Sequence, residues 1–251
     1  MKLPPELLNE VIGHLPTGHL HSCSLVAKSW VYPCQKRLFK VINIHPGNLR
    51  GWLDIISPAD VELLGYVRIL SYNAEEYWIN SMNAIGPPHH ALREYLPSFR
   101  QLRHFILTSL RISWSPQQLE LFSAFRHTLS DISMARCGAT KSDFVTLINY
   151  FPNLIHLYLR EVEYYKEDEP IPPLSRPRLK RLSIAEWPAN SLDLIDELSN
   201  PGLHFEEVFI SKSAFPEAPW SELARRVVDA FGVNAKCLRL LDTPRGVCGH
   251  P

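Results

Sequence analysis

The sequence predicts a mixed fold, α+β and α/β in its different parts. A module of three short helices spans residues 1–45, and an irregular α/β solenoid with parallel strands spans 46–251. Three observations predict this. Large apolar residues recur at helical spacing near the start of the chain, punctuated by prolines. A six-residue apolar pattern then returns at a nearly constant interval. Between its copies lie stretches that carry the marks of a helix start.

Composition sets the frame. Apolar residues make up 45% of the chain and charged residues 21%, the balance of a water-soluble protein with a sizeable core. Twenty-six basic residues face twenty-six acidic ones, so no net field draws the chain to nucleic acid or to an anionic membrane. The residues before Leu20 hold Pro4, Pro5, Glu6 and Glu10 and lack the apolar stretch of a signal peptide. No run of about 18 apolar residues offers a membrane span. The five cysteines are scattered and form no CxxC pair, which suits a reducing compartment. A cytoplasmic or nuclear protein is expected, with neither membrane nor nucleic acid as a partner.

The first helix opens at Pro5, whose missing N–H is harmless in a first turn, and carries Leu7, Leu8, Val11, Ile12 and Leu15. Pro16 and Gly18 are expected to stop it. A second helix sets Leu20, Cys23 and Val26 or Ala27 on one side. A third begins near Ser29 as cap, with Pro33 in or just after its first turn, and Leu38 and Phe39 close the segment. So small a unit has too much surface to hide all these side chains within itself.

The order Leu3-Pro4-x-Glu6-Leu7, Leu15-Pro16, Leu20, Leu25-Val26-x-Lys28-x-Trp30 and Leu38-Phe39 resembles the F-box, over residues 3 to 42. Ala27 stands where many relatives carry cysteine. The resemblance implies a helical unit that docks on the adaptor subunit of a cullin-RING ubiquitin ligase. On that implication the adaptor face draws on Leu3, Pro4, Leu7, Leu8, Ile12, Leu25, Val26 and Trp30. The plain alternative is a helical cap that buries Leu3, Leu7 and Leu25 against the rest of the chain.

The repeat is read from Leu102-x-x-Phe105-x-Leu107 and its copies at Leu129, Leu154, Leu179 and Phe205, with steps of 27, 25, 25 and 26 residues. Looser copies are placed at Leu64-x-x-Val67-x-Ile69 and Ala235-x-x-Leu238-x-Leu240. Helix signals separate the cores. They are Ser115-Pro116 before Leu119, Phe122 and Phe125; Ser142 before Phe144, Leu147, Ile148 and Phe151; Ser191 before Leu194, Ile195 and Leu198; and Ser221 before Leu223, Val227, Val228 and Phe231, with Gly232 as C-cap. Strand followed by helix, repeated, favours parallel strands with right-handed crossovers. At about 25 residues a unit the region resembles a leucine-rich-repeat solenoid. The usual asparagine after the strand is missing, since Ser109, Arg136, Glu161, Glu186 and Ser211 follow the cores. Taken together, the chain resembles a fungal-type F-box protein with a leucine-rich-repeat-like C-terminal region.

Side chains alternate along a strand, so the positions between core residues face the concave side of such an array. They include His104, Ile106, Asp131, Ser133, His156, Tyr158, Arg160, Arg181, Ser183, Glu207 and Phe209. Eight of these, namely His104, Asp131, His156, Tyr158, Arg160, Arg181, Glu207 and Phe209, are the candidate contacts for a target protein. A solvated face without a partner would look similar. Residues 163–173, EYYKEDEPIPP, read as a solvated loop or a contact for a basic partner, and GPPHH at 86–90 reads as a turn.

Chemistry-bearing motifs are missing. His19, His21 and Cys23 sit two apart on a helix and diverge, and Cys237, Cys248 and His250 lack a fourth ligand. The chain holds no GxSxG, GxGxxG, Walker or HExxH pattern, and the acidic run at 167–169 has nothing to hold two carboxylates at a working distance. No catalytic residue, cofactor or metal is expected. Two other readings stand beside the ligase subunit: a non-ligase leucine-rich-repeat scaffold whose helices are only a cap, and a thiol hydrolase using Cys137 or Cys23.

Overall fold

The structure, a computed structural model, describes residues 3–55, 61–74, 95–110, 119–165, 179–185, 198, 205–211, 220–232 and 235–241. Three helices come first, α1 (Pro5–His14), α2 (Thr17–Ser24) and α3 (Lys28–Leu38). Strand β1 (Val41–Ile44) follows α3 after only two residues, and α4 (Pro46–Ile55) and α5 (Val61–Leu64) lead to β2 (Ile69–Asn73). Then come β3 (His104–Thr108), β4 (Asp131–Ala135), β5 (Gly138–Thr140), α6 (Lys141–Tyr150), β6 (His156–Arg160), β7 (Glu163–Tyr165), β8 (Arg181–Ala185), β9 (Glu207–Ser211), α7 (Trp220–Phe231) and β10 (Cys237–Leu241).

Eight strands form one sheet in the order β1-β2-β3-β4-β6-β8-β9-β10, and every pairing is parallel. Strands β5 and β7 make a second, two-stranded parallel ladder beside it. The main ladder repeats one backbone device. The carbonyl just before a strand accepts the first two N–H groups of the next rung: Lys40 O from Arg68 and Ile69, Arg68 O from Arg103 and His104, Arg103 O from Ser130 and Asp131, Ser130 O from Ile155 and His156. Ile155 O and Glu206 O do the same further along.

The sheet therefore begins at Val41, inside the stretch that the sequence reading assigned to the helical module. Phe39-x-x-Ile42-x-Ile44 is its first rung, with Ile42 and Ile44 buried. The second rung also shifts. Leu70 pairs with Phe105 and Tyr72 with Leu107, so the copy is Val67-x-x-Leu70-x-Tyr72 and not the frame starting at Leu64. Both frames present apolar residues; tyrosine in the third core position hid the true one. Leu238 and Leu240 pair with Val208 and Ile210 in the expected frame.

Inward residues of the strands merge with Phe122, Phe125, Phe144, Leu147, Ile148, Phe151, Val227 and Phe231 into one core. Phe105, Phe122, Phe125 and Phe151 form its aromatic centre, with the Phe125 and Phe151 rings stacked at 6.3 Å. Before β4, Leu119 and Glu120 are helical and Ser123–Phe125 form a 3-10 turn. At the close of β3, β4 and β6 the chain turns through Ser109, Arg136 and Glu161, all with φ near +50°. A residue with a Cβ is strained there, by roughly 1–2 kcal/mol. These turn residues occupy the positions where the missing asparagine was sought, and the next residues, Leu110, Cys137 and Val162, pack on the core.

Several local expectations are corrected. Helix α3 starts at Lys28 with Ala27 at its N-cap, so Ser29 is not the cap and Pro33 is the sixth residue of the helix. Gly18 sits within α2, and α2 ends at Ser24, leaving Val26 and Ala27 outside it. Helix α6 is capped by Thr140 instead of Ser142. Its hydroxyl accepts from Asp143 N at 3.1 Å while the Asp143 carboxylate accepts from Thr140 N at 3.0 Å. Val228 is exposed on α7, and Gly232 is required for space, because a Cβ there would lie 2.5 Å from Val228 O. Residues 163–165 form β7. The rest of EYYKEDEPIPP lies outside the described residues, as do GPPHH, Ser115-Pro116, Ser191, Leu194, Ile195, Glu186, Cys248 and His250.

The reciprocal cap makes a direct prediction. Thr140→Ala leaves the Asp143 N–H without its acceptor and lowers unfolding stability by about 1 kcal/mol in a denaturant titration, while Thr140→Ser retains most of it.

Candidate functional site

Two surfaces stand out, one on the helical module and one on the open face of the sheet. In the module, Leu8, Ile12, Leu20 and Cys34 form a small sealed core, closed by Leu15, Cys23, Trp30 and Leu38. The Arg37 guanidinium donates to the carbonyls of Ile12 and Leu15 at the end of α1, where Ile12 O also accepts from the Leu15 N–H. This clamp fixes α1 on α3.

With the inner face used, the other apolar residues point outward. Leu25 is 77% exposed and Val26 68%, and Leu3, Leu7, Val11 and Tyr32 are also exposed. The α2–α3 turn projects Leu25 and Val26, because Leu25 N and Val26 N are bound back to Ser22 O and Cys23 O and the helix has ended. Five large aliphatic side chains, Leu3, Leu7, Val11, Leu25 and Val26, are thus exposed on this small unit.

Of the eight candidate adaptor contacts, Leu3, Pro4, Leu7, Leu25 and Val26 lie on the outside. Leu8 and Ile12 do not. They are 5% and 2% exposed and belong to the module's own core, where they hold the helices together. Trp30 is half-buried and packs on that same core. Val11 and Tyr32 were missed as surface residues. Val11 shares the heptad-like run of its buried neighbours and differs only in angle around the helix, which α1 alone does not reveal.

Residues 1–31 match the family model described as the F-box domain. F-box domains bind the adaptor subunit of cullin-RING ubiquitin ligases. The match ends inside α3, so the sheet lies outside it. No curated protein matches the chain.

The F-box is joined to the sheet without slack. Tyr32 on α3 meets Tyr66 edge-on at 5.4 Å, and Phe39 meets Trp52 of α4 at 6.4 Å. The Trp52 Nε1–H and the Asn48 side-chain amide both donate to Asn43 O, covering part of the edge of β1.

On the open face of the sheet the candidate target contacts fall into transverse rows. His104, Asp131, His156, Arg181 and Glu207 share the first; Ile106, Ser133, Tyr158, Ser183, Phe209 and Arg239 share the second; Arg160 lies in the third beside Ala135 and Ala185. Several pair with one another. His156 Nδ1 contacts Asp131 Oδ1 at 2.5 Å, His104 Nε2 contacts Ser133 Oγ at 2.8 Å, and Arg181 Nε donates to Glu207 Oε2 at 2.7 Å. The Arg181 and Arg239 guanidinium carbons lie 5.3 and 5.7 Å from the centre of the Phe209 ring. Arg239 was missed, although the seventh copy of the repeat places it between Leu238 and Leu240 on the open face.

The thiols are arranged for packing. Burial, opposed only partly by backbone hydrogen bonds from the Ser109–Leu110 turn and Ala135, pushes the Cys137 thiol up to about 11, and burial with help from Cys23 raises that of Cys34. A thiol with a pKa near 11 remains protonated, and so poorly nucleophilic, at neutral pH. Among the described residues no group of three His, Cys, Asp or Glu side chains is placed to hold a metal ion, and no helix is long and apolar enough to cross a membrane.

Two measurements follow. Leu8→Ala lowers thermal stability of the F-box by about 2–5 kcal/mol, whereas Leu25→Ala, already exposed, changes it by less than about 0.5 kcal/mol. In native protein at pH 7.5 iodoacetamide leaves Cys137 unmodified, and mass spectrometry finds it alkylated only after denaturation.

Proposed function

We propose that this chain is a substrate-recognition subunit of an SCF-type cullin-RING ubiquitin ligase. In this reading the F-box binds the adaptor through Leu3, Pro4, Leu7, Leu25 and Val26, joined by Val11. The sheet region is a leucine-rich-repeat-like solenoid, whose open face holds a target protein. The chain makes and breaks no covalent bond of its own. It acts by holding the target near a ubiquitin-charged enzyme supplied by other subunits, so the rate gain comes from proximity. It works in cytoplasm or nucleus, where such ligases and their reduced cysteines are at home.

One observation supports this reading above the others. Leu25 and Val26 stand in the α2–α3 turn at 77% and 68% exposure, so neither is buried against the rest of the chain. A helical cap serving only the solenoid would turn these residues toward it, so the non-ligase scaffold has no use for them. Covering both side chains stabilises a complex by about 1.5–3 kcal/mol each at full burial.

The experiment is capture of purified adaptor by the immobilised full chain. The native protein retains adaptor at micromolar concentration. Leu25→Asp with Val26→Asp weakens capture more than tenfold, with an unchanged far-ultraviolet circular dichroism spectrum. A native chain that retains no adaptor at those concentrations overturns the ligase reading and leaves the scaffold.

A further inference from the structure

The residues just before the strands line one edge of the main sheet, each held in register with the next by the shared carbonyl. On the first three rungs they are Lys40, Arg68 and Arg103. Arg68 N donates to Lys40 O at 2.9 Å, and Arg103 N donates to Arg68 O at 2.8 Å. At about 4.8 Å per strand, the three cationic side chains leave the backbone within about 10 Å of one another. Lys40 and Arg103 are exposed, and Arg68 is half-buried.

These charges are left unbalanced. Among the described residues none of the three makes an ion pair. Glu206, the acid that stands just before β9, is four strand spacings or about 19 Å from Arg103, and Lys236 holds it at 3.2 Å. Asp131, on the rung after Arg103, is engaged by Ser130 Oγ and His156 Nδ1. Arg68 Nη1 lies 3.4 Å from Gly65 O and 3.5 Å from Gln101 O, so its guanidinium is held between the turns that precede β2 and β3. Its other N–H groups are uncommitted among the described residues. Burial first, and the Arg103 charge second, lower the pKa of Arg68 from its ordinary value. A guanidinium fixed partly out of water beside another one is destabilised in the unbound chain, and an anion placed between them relieves that repulsion.

We propose that Lys40, Arg68 and Arg103 form a binding site for a phosphate monoester, separate from the open face and independent of the ligase reading. A monoester carries close to two negative charges at neutral pH and three acceptor oxygens, so a single group engages both guanidinium forks. A carboxylate, with one charge and two oxygens, satisfies one fork and leaves the second arginine unmatched. A phosphodiester also brings one charge per group. Lys40 adds a mobile ammonium on the third rung, a point charge that needs no fixed geometry. The site adjoins the F-box, because Lys40 follows α3 after one residue and Tyr66, two residues before Arg68, meets Tyr32 of α3 edge-on at 5.4 Å.

The test is isothermal titration calorimetry of the full chain at about pH 7.5 and about 150 mM salt, where a diffuse field is screened. Four probes are used: the peptide Gly-Gly-phosphoserine-Gly-Gly, its glutamate counterpart, inorganic phosphate and dimethyl phosphate. The phosphoserine peptide is expected to bind at least tenfold more tightly than the glutamate peptide or dimethyl phosphate. Arg68→Ala and Arg103→Ala each weaken it about fivefold or more, and Arg68→Lys, which keeps the charge and loses the fork, weakens it too. Lys180→Ala removes the same charge from the same edge about 14 Å away and changes it less than about twofold. Arg103 is exposed, so Arg103→Ala keeps the native thermal transition and decides the matter if Arg68→Ala disturbs the fold. Inorganic phosphate bound as tightly as the phosphoserine peptide supports the site with a free phosphate as its ligand; much weaker binding of inorganic phosphate supports it with a phosphorylated protein segment. Equal affinity for the phosphoserine and glutamate peptides overturns the proposal. So does indifference to Arg103→Ala, an equal effect of Lys180→Ala, or no binding of the phosphoserine peptide at millimolar concentration.

Discussion

Alternation along the strands is the constraint on which the molecule depends. In the main sheet from β1 to β9 the second and fourth residues of each strand are buried and most of the others are half-exposed or exposed, and parallel pairing keeps like positions in line across the sheet. One side thus becomes a continuous column of Ile42, Leu70, Phe105, Ile132, Leu157, Leu182 and Val208, each burying itself on the next. The other becomes an ordered field of polar and aromatic groups. Register on one side fixes composition on the other, because a slip would exchange the two. The shared carbonyls before each strand make that register a backbone property, independent of which side chains follow.

The helical module obeys a different economy. Its core is four buried side chains deep, and the helices rely on the Arg37 clamp and on the half-buried Trp30 and Leu38 to complete it. A unit this small cannot enclose every apolar residue it carries. The division between Leu8 and Ile12 inside and Leu7, Val11, Leu25 and Val26 outside is a consequence of that geometry, and it separates residues that maintain the fold from residues available to a partner.

Much of this was legible in the sequence. The step of 25 to 27 residues located the middle five strands, because each core sets two large apolar side chains one residue apart, three and five positions after a leucine or phenylalanine. The first two rungs were obscured for physical reasons. Phe39 serves both as the C-cap of α3 and as the first core residue of the β1 rung, so its helical role masked the other, and Tyr72 occupies a position where leucine signals the pattern elsewhere. The cap of α6 was misplaced because Ser142 and Thr140 both suit an N-cap, and only the reciprocal carboxylate of Asp143, three residues after Thr140, distinguishes them. Inside the F-box, spacing identified the helices but not their rotation, so buried and exposed leucines could not be told apart. The arginine pair around Phe209 depends on neighbours nearly thirty residues apart in sequence, which only the register of β9 and β10 brings together.

The joint between α3 and β1 limits how such a chain can be altered. Only Phe39 and Lys40 lie between helix and strand, and the carbonyl of Lys40 is already bonded to β2. Adding or deleting a single residue here would turn β1 over, sending Ile42 and Ile44 to water and Val41 and Asn43 into the oily layer. Grafting a foreign helical head onto this sheet, or this head onto another, thus demands that the splice preserve phase as well as length. Lineages free to reshuffle these two parts would have to cut upstream of Phe39 or beyond Ile44.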